Sequence, residues 1–388
     1  MINVPVIVLG RYATALGVIR ALGRQRIPLF WVTEAPDYVG ASRWSRRFPT
    51  SVRPPEGPAD LARFLEHVPL DRAVLIPCSD HWNRAAASLD PGMSERFPTS
   101  MPDASTLAML TDKSTLAATL RDHDIPHPRS ILLRDEADLA AAPPEEIQNW
   151  FIKPCDSQAF ATHFRCKAFR VESLDDARKR YRTVREAGLA AIFQEYIPGS
   201  ASQHFFVDGF VDAHGDPKAL FARQRIRMYP PELGDSTYVT SVSPTVVADA
   251  IASVQSLLKA VPYRGIFSIE FKHDQRDGRF KLIEVNTRPW AFVQFAVECG
   301  VDVVTMAYRD ALGEPVSTVE DYRLGHSTAH SPLDWVVGWT QIRRSELSLL
   351  ALIQSELRAT SLLFRWDDPL PYLIHVGTLL RGLLRKRG

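Results

Sequence analysis

The stretch from Tyr263 to Trp290, YRGIFSIEFKHDQRDGRFKLIEVNTRPW, constrains the fold more than any other part of the chain. Two runs of alternating apolar residues flank Asp277-Gly278, the pattern of a β-hairpin. Pairing across that turn sets Glu270 opposite Glu284 and Ser268 opposite Asn286. Alternation then puts Glu270, Glu284, Asn286 and Arg288 on one face, and Ile269, Phe271, Ile283 and Val285 on the other. Facing like charges destabilise a sheet, so a cation is expected between the two carboxylates. Two carboxylates and an amide oxygen are hard donors of the kind that hold Mg²⁺.

A chain of 388 residues has room for two or three domains. Its net charge of +1 gives no global electrostatic case for binding nucleic acid. Cys78, Cys155, Cys166 and Cys299 are scattered without CxxC pairing, which fits a reduced, cytoplasmic protein without a structural zinc site. The N-terminal run MINVPVIVLG lacks a basic leader and a small-residue cleavage site, so a first strand is expected there rather than a signal peptide. No stretch approaches the roughly 18 uninterrupted apolar residues of a membrane-spanning helix.

Val4–Leu9, a helical pattern over Ala13 to Arg24, and Pro28–Thr33 read as strand, helix, strand, the start of a parallel α/β sheet. Ala73–Pro77 adds a strand with Cys78, Ser79 and Asp80 at its C-terminal end, where open α/β sheets place ligands. Gly10 is followed by RYATALG rather than completing GxGxxG, which argues against a dinucleotide site. Asp103 to Asp122 reads as two helical turns, a break, and a helix capped by Thr111 or Asp112. Strands are expected over Trp150–Pro154 (WFIKP), Ala190–Tyr196, His204–Val211 and Ala219–Ile226, and a helix over Val246–Val261. From about Tyr322 the character changes. Ser345–Phe364 is leucine-rich, and Tyr372–Arg387 mixes apolar residues with Arg381, Arg385, Lys386 and Arg387.

In this order of parts (an α/β domain, a DK pair at a helix start, a strand IKP, a segment QEYIPG, and a hairpin ending EVNTR) the chain resembles the ATP-grasp superfamily. The resemblance runs from about Val4 to Arg309, and is closest to carboxylate–amine ligases similar to D-aspartate ligase and to the ATP-binding halves of carbamoyl-phosphate synthase. It implies an α/β fold: an N-terminal βαβ pre-ATP-grasp domain (1–105), an α+β ATP-grasp domain of two subdomains hinged near 194–199 (106–320), and a small helical C-terminal extension (321–388). It implies that Lys113 and Lys153 contact ATP phosphates, with Lys153 also near the adenine. Gln194, Glu195 and Ile197 would belong to the hinge, Glu195 and Ile197 offering backbone groups to the adenine edge. Glu270, Glu284 and Asn286 would hold one or two Mg²⁺ ions, with Mn²⁺ able to replace them. Arg288 would stabilise the charge developing on an acyl phosphate, and Arg225 and Arg227 would face the phosphates or the acidic substrate. The activity implied is ATP-dependent joining of a carboxylate to an amine through an acyl phosphate, releasing ADP and phosphate.

One departure stands out. The loop after Lys153, usually glycine-rich in this superfamily, here has no glycine from Pro154 to Phe169. Ser157, His163 and Lys167 are the side chains that could donate to phosphate instead. Two other functions fit the same residues: a catalytically weak nucleotide sensor or scaffold, and a phosphotransferase acting on an alcohol. Expected partners are a small carboxylate and a small amine, with a homodimer implied by the resemblance and no nucleic acid. The C-terminal segment fits packing against the catalytic domain, and also fits contact with a membrane surface or a lipid-linked acceptor.

Overall fold

The computed structural model describes residues 4–49, 52–155, 160, 163–231 and 234–385. Val6–Leu9 (β1), Leu29–Val32 (β2), Ser45–Arg46 (β3) and Val74–Pro77 (β4) form a parallel sheet in the order β3-β2-β1-β4. Every residue of β1 is fully buried, as a strand covered on both faces should be. Helix Tyr12–Gly23 returns the chain from β1 to β2 and packs on helices Val293–Cys299 and Val303–Ala311. A single apolar core therefore joins this first sheet to the underside of the largest one.

Helices Ala104–Thr111 and Lys113–Asp122 meet at Asp112, whose carboxylate accepts from the N–H groups of Ser114 and Thr115. Asp112 rather than Thr111 therefore caps the second helix. A small antiparallel sheet follows, made of Ser130–Leu133 (β5), Trp150–Pro154 (β6), Phe169–Arg170 (β7) and Ala191–Glu195 (β8) in the order β5-β8-β6-β7. The amphipathic helix Leu174–Glu186 covers it through Ala177, Tyr181 and Val184.

The largest sheet holds His204–Val211 (β9), Pro217–Tyr229 (β10), Asp235–Ser241 (β11), Gly265–Asp274 (β12), Arg279–Asn286 (β13), Ser327–Ala329 (β14) and Thr360–Ser361 (β15), in the order β13-β12-β9-β10-β11-β14-β15. One face packs Phe267, Ile269 and Phe271 against helix Ala248–Ala260. The opposite face changes character along its length. Phe210, Phe221 and Ile266 are apolar and meet Phe292 and Phe295, whereas Arg223, Arg225, Ser268 and Glu270 on the same strands look into a cleft.

Gly265 begins β12 at φ +102°, and a Cβ there would lie 2.6 Å from the carbonyl oxygen of Ser100. Glycine is needed both for that conformation and for the close approach of the hairpin to the backbone of Ser100 and Met101. The hairpin has the expected register, Ser268↔Asn286, Ile269↔Val285 and Glu270↔Glu284. Beyond Glu270 the pairing slips by one, so that Phe271 faces Leu282. Leu282, not Ile283, enters the core as a result, correcting the expectation for Ile283. The C-terminal portion is not purely helical: β14 and β15 extend the sheet edge, between and beside helices Leu333–Arg343, Leu349–Arg358 and Leu370–Arg385. No helix among the described residues is long and apolar enough to cross a membrane.

Candidate active site

The cleft between the largest sheet and the C-terminal ends of β1 and β4 has a volume of about 2030 Å³. Glu270, Glu284, Asn286, Arg288 and Arg225 all line it. Glu270 is held from two sides: Nδ1 of His204 donates to Oε1 at 2.7 Å, and Nη1 of Arg225 is 3.1 Å from the same oxygen. Burial opposes ionisation of Glu270, but the Arg225 charge and the His204 hydrogen bond outweigh it and hold the carboxyl far below the usual range. Burial also lowers the His204 pKa by more than Glu270 raises it, so a neutral imidazole donates to an ionised carboxylate. His204 is thus a satisfied, buried histidine that fixes a cleft carboxylate.

Glu284 differs. It makes no hydrogen bond or ion pair among the described residues, although it lines the cleft directly opposite Glu270. Asn286 Oδ1 accepts from Nη2 of Arg288 at 3.1 Å. Arg288 in turn forms a two-armed pair with Asp80, 2.7 Å from Nε to Oδ1 and 3.2 Å from Nη2 to Oδ2. Burial disfavours both charges, but each is outweighed by its partner, which lowers the Asp80 pKa and raises that of Arg288. Ser79 caps helix Asp80–Ala87 by accepting from Trp82 N–H, so capping falls to Ser79 and Asp80 is free to orient Arg288.

The nucleotide-side residues are distributed less tightly. Lys153 on β6 lies near enough for its charge to help depress Glu270. Lys113 donates from Nζ to the carbonyl of Pro154, at the end of the same strand. Gln194 bonds Ser130 Oγ at 2.8 Å, and Ile197 is buried. Glu195 pairs through its side chain with Arg129 and Arg276, while its N–H bonds the Arg129 carbonyl at 2.9 Å. Of its backbone groups it could therefore offer only the carbonyl to an adenine edge. None of these five is among the residues lining the large cleft. In the glycine-free loop, His163 lines the cleft and Lys167 pairs with Asp235 at 2.8 Å. Ser157 lies outside the described residues.

Arg227 is a correction. Simple alternation would aim Arg223, Arg225 and Arg227 the same way, but the β10–β11 pairing shifts register on both sides of Arg227. Arg227 is buried away from the cleft, its Nε 3.0 and 2.8 Å from the two oxygens of the fully buried Asp334. Arg223 stands where Arg227 was expected. It lines the cleft, pairs with buried Asp208 at 2.7 Å, and stacks 3.7 Å from the Phe206 ring centroid. The alternation in RQRIR carried that signal.

Glu356 completes the Arg227 cluster, its Oε1 3.6 Å from Arg227 Nη2. Burial, reinforced by Asp334, pushes its pKa from 4.5 up to about 7. An acid raised on folding contributes stability below its unfolded value and loses it as pH climbs toward the folded one. Glu356→Gln should therefore melt progressively higher relative to the native chain as pH rises from 4.5 to about 7, and thermal melts across that window check it.

At the far end of the cleft, His375 sits 5.0 Å from the Tyr38 ring and 5.7 Å from that of His330. His330 Nδ1 and His375 Nε2 are buried without a hydrogen-bond partner among the described residues. The C-terminal helix Leu370–Arg385 thus supplies one wall of the cleft, which the sequence did not reveal. The cleft exceeds the roughly 300–1,000 Å³ of a single-ligand pocket and has room for more than one ligand.

No family model matches the chain. A D-aspartate ligase of Enterococcus faecium (strain Aus0004) is 23% identical over 245 residues, 61% of this chain, and the match spans only 58% of that relative's length. Among solved structures, the biotin carboxylase domain of Hydrogenobacter thermophilus 2-oxoglutarate carboxylase is similar with a TM-score of 0.64 and 16% identity, over 83% of this chain and 73% of that one. An L-amino acid ligase from Bacillus licheniformis gives 0.61 and 14%, over 82% and 76%. Carboxyaminoimidazole ribonucleotide synthase from Aspergillus clavatus, solved with ATP, gives 0.61 and 14%, over 82% and 79%. With its parallel α/β sheet followed by a small and a large antiparallel sheet, and with these structural counterparts, the chain has the ATP-grasp fold.

Proposed function

We propose that the chain is an ATP-dependent ligase joining a carboxylate to an amine through an acyl phosphate. The observation that carries this reading is the facing pair Glu270 and Glu284, with Asn286 and Arg288 beside them, at the wall of a cleft large enough for several ligands. The donor set fits Mg²⁺: all three candidate ligands offer oxygen, and Glu284 makes no ion pair among the described residues, although the Arg288 charge lies close enough to act on it. Glu270, Glu284 and Asn286 would hold one or two ions, whose charge would offset that of the nucleotide phosphates. Arg288, kept ionised and oriented by Asp80, and Arg225, anchored by Glu270, are preorganised cations for the charge that builds on a transferring phosphoryl group and on the tetrahedral carbon that follows. Lys113 and Lys153 would reach the nucleotide from the small-sheet side, and Gln194 to Ile197 would meet its base.

In the same reading, residues 1–105 form the domain preceding the grasp, 106–320 the grasp itself, and 321–388 an extension. The similar D-aspartate and L-amino acid ligases make amino acids the first substrate class to try. We also propose a homodimer, as described for the similar biotin carboxylase domain, and location at a membrane periphery.

The test is ADP release by the full chain with Mg²⁺ and ATP across paired amino acids and simple carboxylates and amines, with products weighed by mass spectrometry. Stimulation by one pair, with an amide product, is expected. A melting shift with Mg²⁺ and ATP but no substrate-stimulated ADP would instead favour a nucleotide sensor, and a phosphorylated alcohol a phosphotransferase.

A further inference from the structure

Three C-terminal helices each present an apolar stripe that no described part of the chain covers. Helix Leu333–Arg343 exposes Trp335, Val336 and Trp339, and helix Leu349–Arg358 exposes Leu350, Ile353 and Leu357. Helix Leu370–Arg385 exposes Leu370, Leu373, Ile374 and Leu380. Leu350 is 65% exposed, Leu357 82% and Trp366, in the segment before the last helix, 89%. Apart from Tyr12, Tyr229, Val246 and Leu324, every exposed large hydrophobic residue of the described chain lies between Trp335 and Leu380. Spacings of three and four residues align each set on one helix face. This is a concentration, not the usual scatter of surface apolar residues.

The three helices are tied together. Gly338 lets Leu352 pack so closely that a Cβ would fall 2.3 Å from Leu352 Cδ1, and His375 meets His330 just before the first helix. Charge is asymmetric as well. Asp334 and Glu356 pair with Arg227, Asp367 with Arg24, and Asp368 with Arg20. Glu346 is the other acid between 333 and 381. Arg343, Arg344, Arg358 and Arg381 are exposed and make no ion pair among the described residues.

We propose that this face docks on an anionic membrane surface. Tryptophan and leucine on exposed helix faces bury at the headgroup boundary, and arginines beside them pair with lipid phosphates. Since no described helix can cross a bilayer, the helices would lie in the interface. A second copy is the poorer occupant, because an isologous pairing sets the same unpaired arginines against themselves. Ile374, His375, Thr378 and Leu379 of the last helix also line the cleft, so docking would place the cleft beside the bilayer. The docking itself does not depend on ligase activity.

The test is flotation of the full chain with vesicles of phosphatidylcholine alone, or of phosphatidylcholine containing phosphatidylglycerol. Binding to the anionic vesicles is expected, weakened by salt, with tryptophan emission quenched by brominated acyl chains. Arg343→Glu with Arg344→Glu should reduce partitioning by roughly tenfold or more. Trp339→Ser with Leu350→Ser should reduce it while leaving the Mg²⁺-ATP melting shift of the native chain unchanged. Absence of flotation with anionic vesicles overturns the proposal, as does a solution dimer that Leu350→Ser dissociates.

Discussion

Replacing Glu284 by alanine is expected to cut substrate-dependent ADP release by about 10²–10³-fold, the effect of removing one preorganised electrostatic group from a phosphoryl-transfer site. The melting temperature of the same variant should be unchanged or slightly higher. Glu284 makes no hydrogen bond or ion pair among the described residues, so little native structure is lost with it. Its removal also relieves the repulsion with Glu270 across the hairpin. A carboxylate whose loss abolishes turnover without lowering stability is retained for a ligand. Glu270→Ala is a poor substitute experiment, because it strands the buried Arg225 and frees His204. ADP release and a thermal melt on Glu284→Ala decide the matter. Unchanged turnover would remove the metal-site assignment.

The hairpin was legible because its determinants are local. Gly278 takes the positive φ of +70° that the turn needs, and period-2 alternation then sets the register as far as Glu270↔Glu284. The single failure in it, Ile283, follows from a bulge, whose extra residue leaves no mark on an alternating pattern. Arg227 failed for the same reason in β10. Contacts made by distant parts of the chain were illegible for another reason. Asp80 meets Arg288 across 208 positions, and no local pattern encodes that distance. β14 and β15, of three and two residues, are strands only because the sheet edge is there to receive them. Ala191–Glu195 reads as a strand from its own residues, but the use of the Glu195 side chain to tie Arg129 and Arg276 depends on tertiary placement.

Arg227→Ala is expected to lose about 3–5 kcal/mol of stability, the penalty for leaving a buried charge without its partner. Asp334 is fully buried and accepts from Arg227 and from Thr237 Oγ1 at 2.6 Å, so removing the guanidinium leaves a buried acid without its cation beside a second acid, Glu356. The arginine also lies 4.3 Å over the Tyr238 ring, which adds packing to the loss. Urea denaturation measures the change. Replacing both partners, Arg227→Met with Asp334→Leu, should recover most of it, because a buried pair is dispensable when both charges leave together. KM for ATP in the folded protein should stay at the native value in both variants, since the Arg227 guanidinium is turned onto buried Asp334 and Ser355 rather than toward a ligand. An arginine that faced the phosphates would behave in the opposite way: its loss would raise KM for ATP or lower kcat at nearly constant stability, and removing Asp334 as well would rescue nothing.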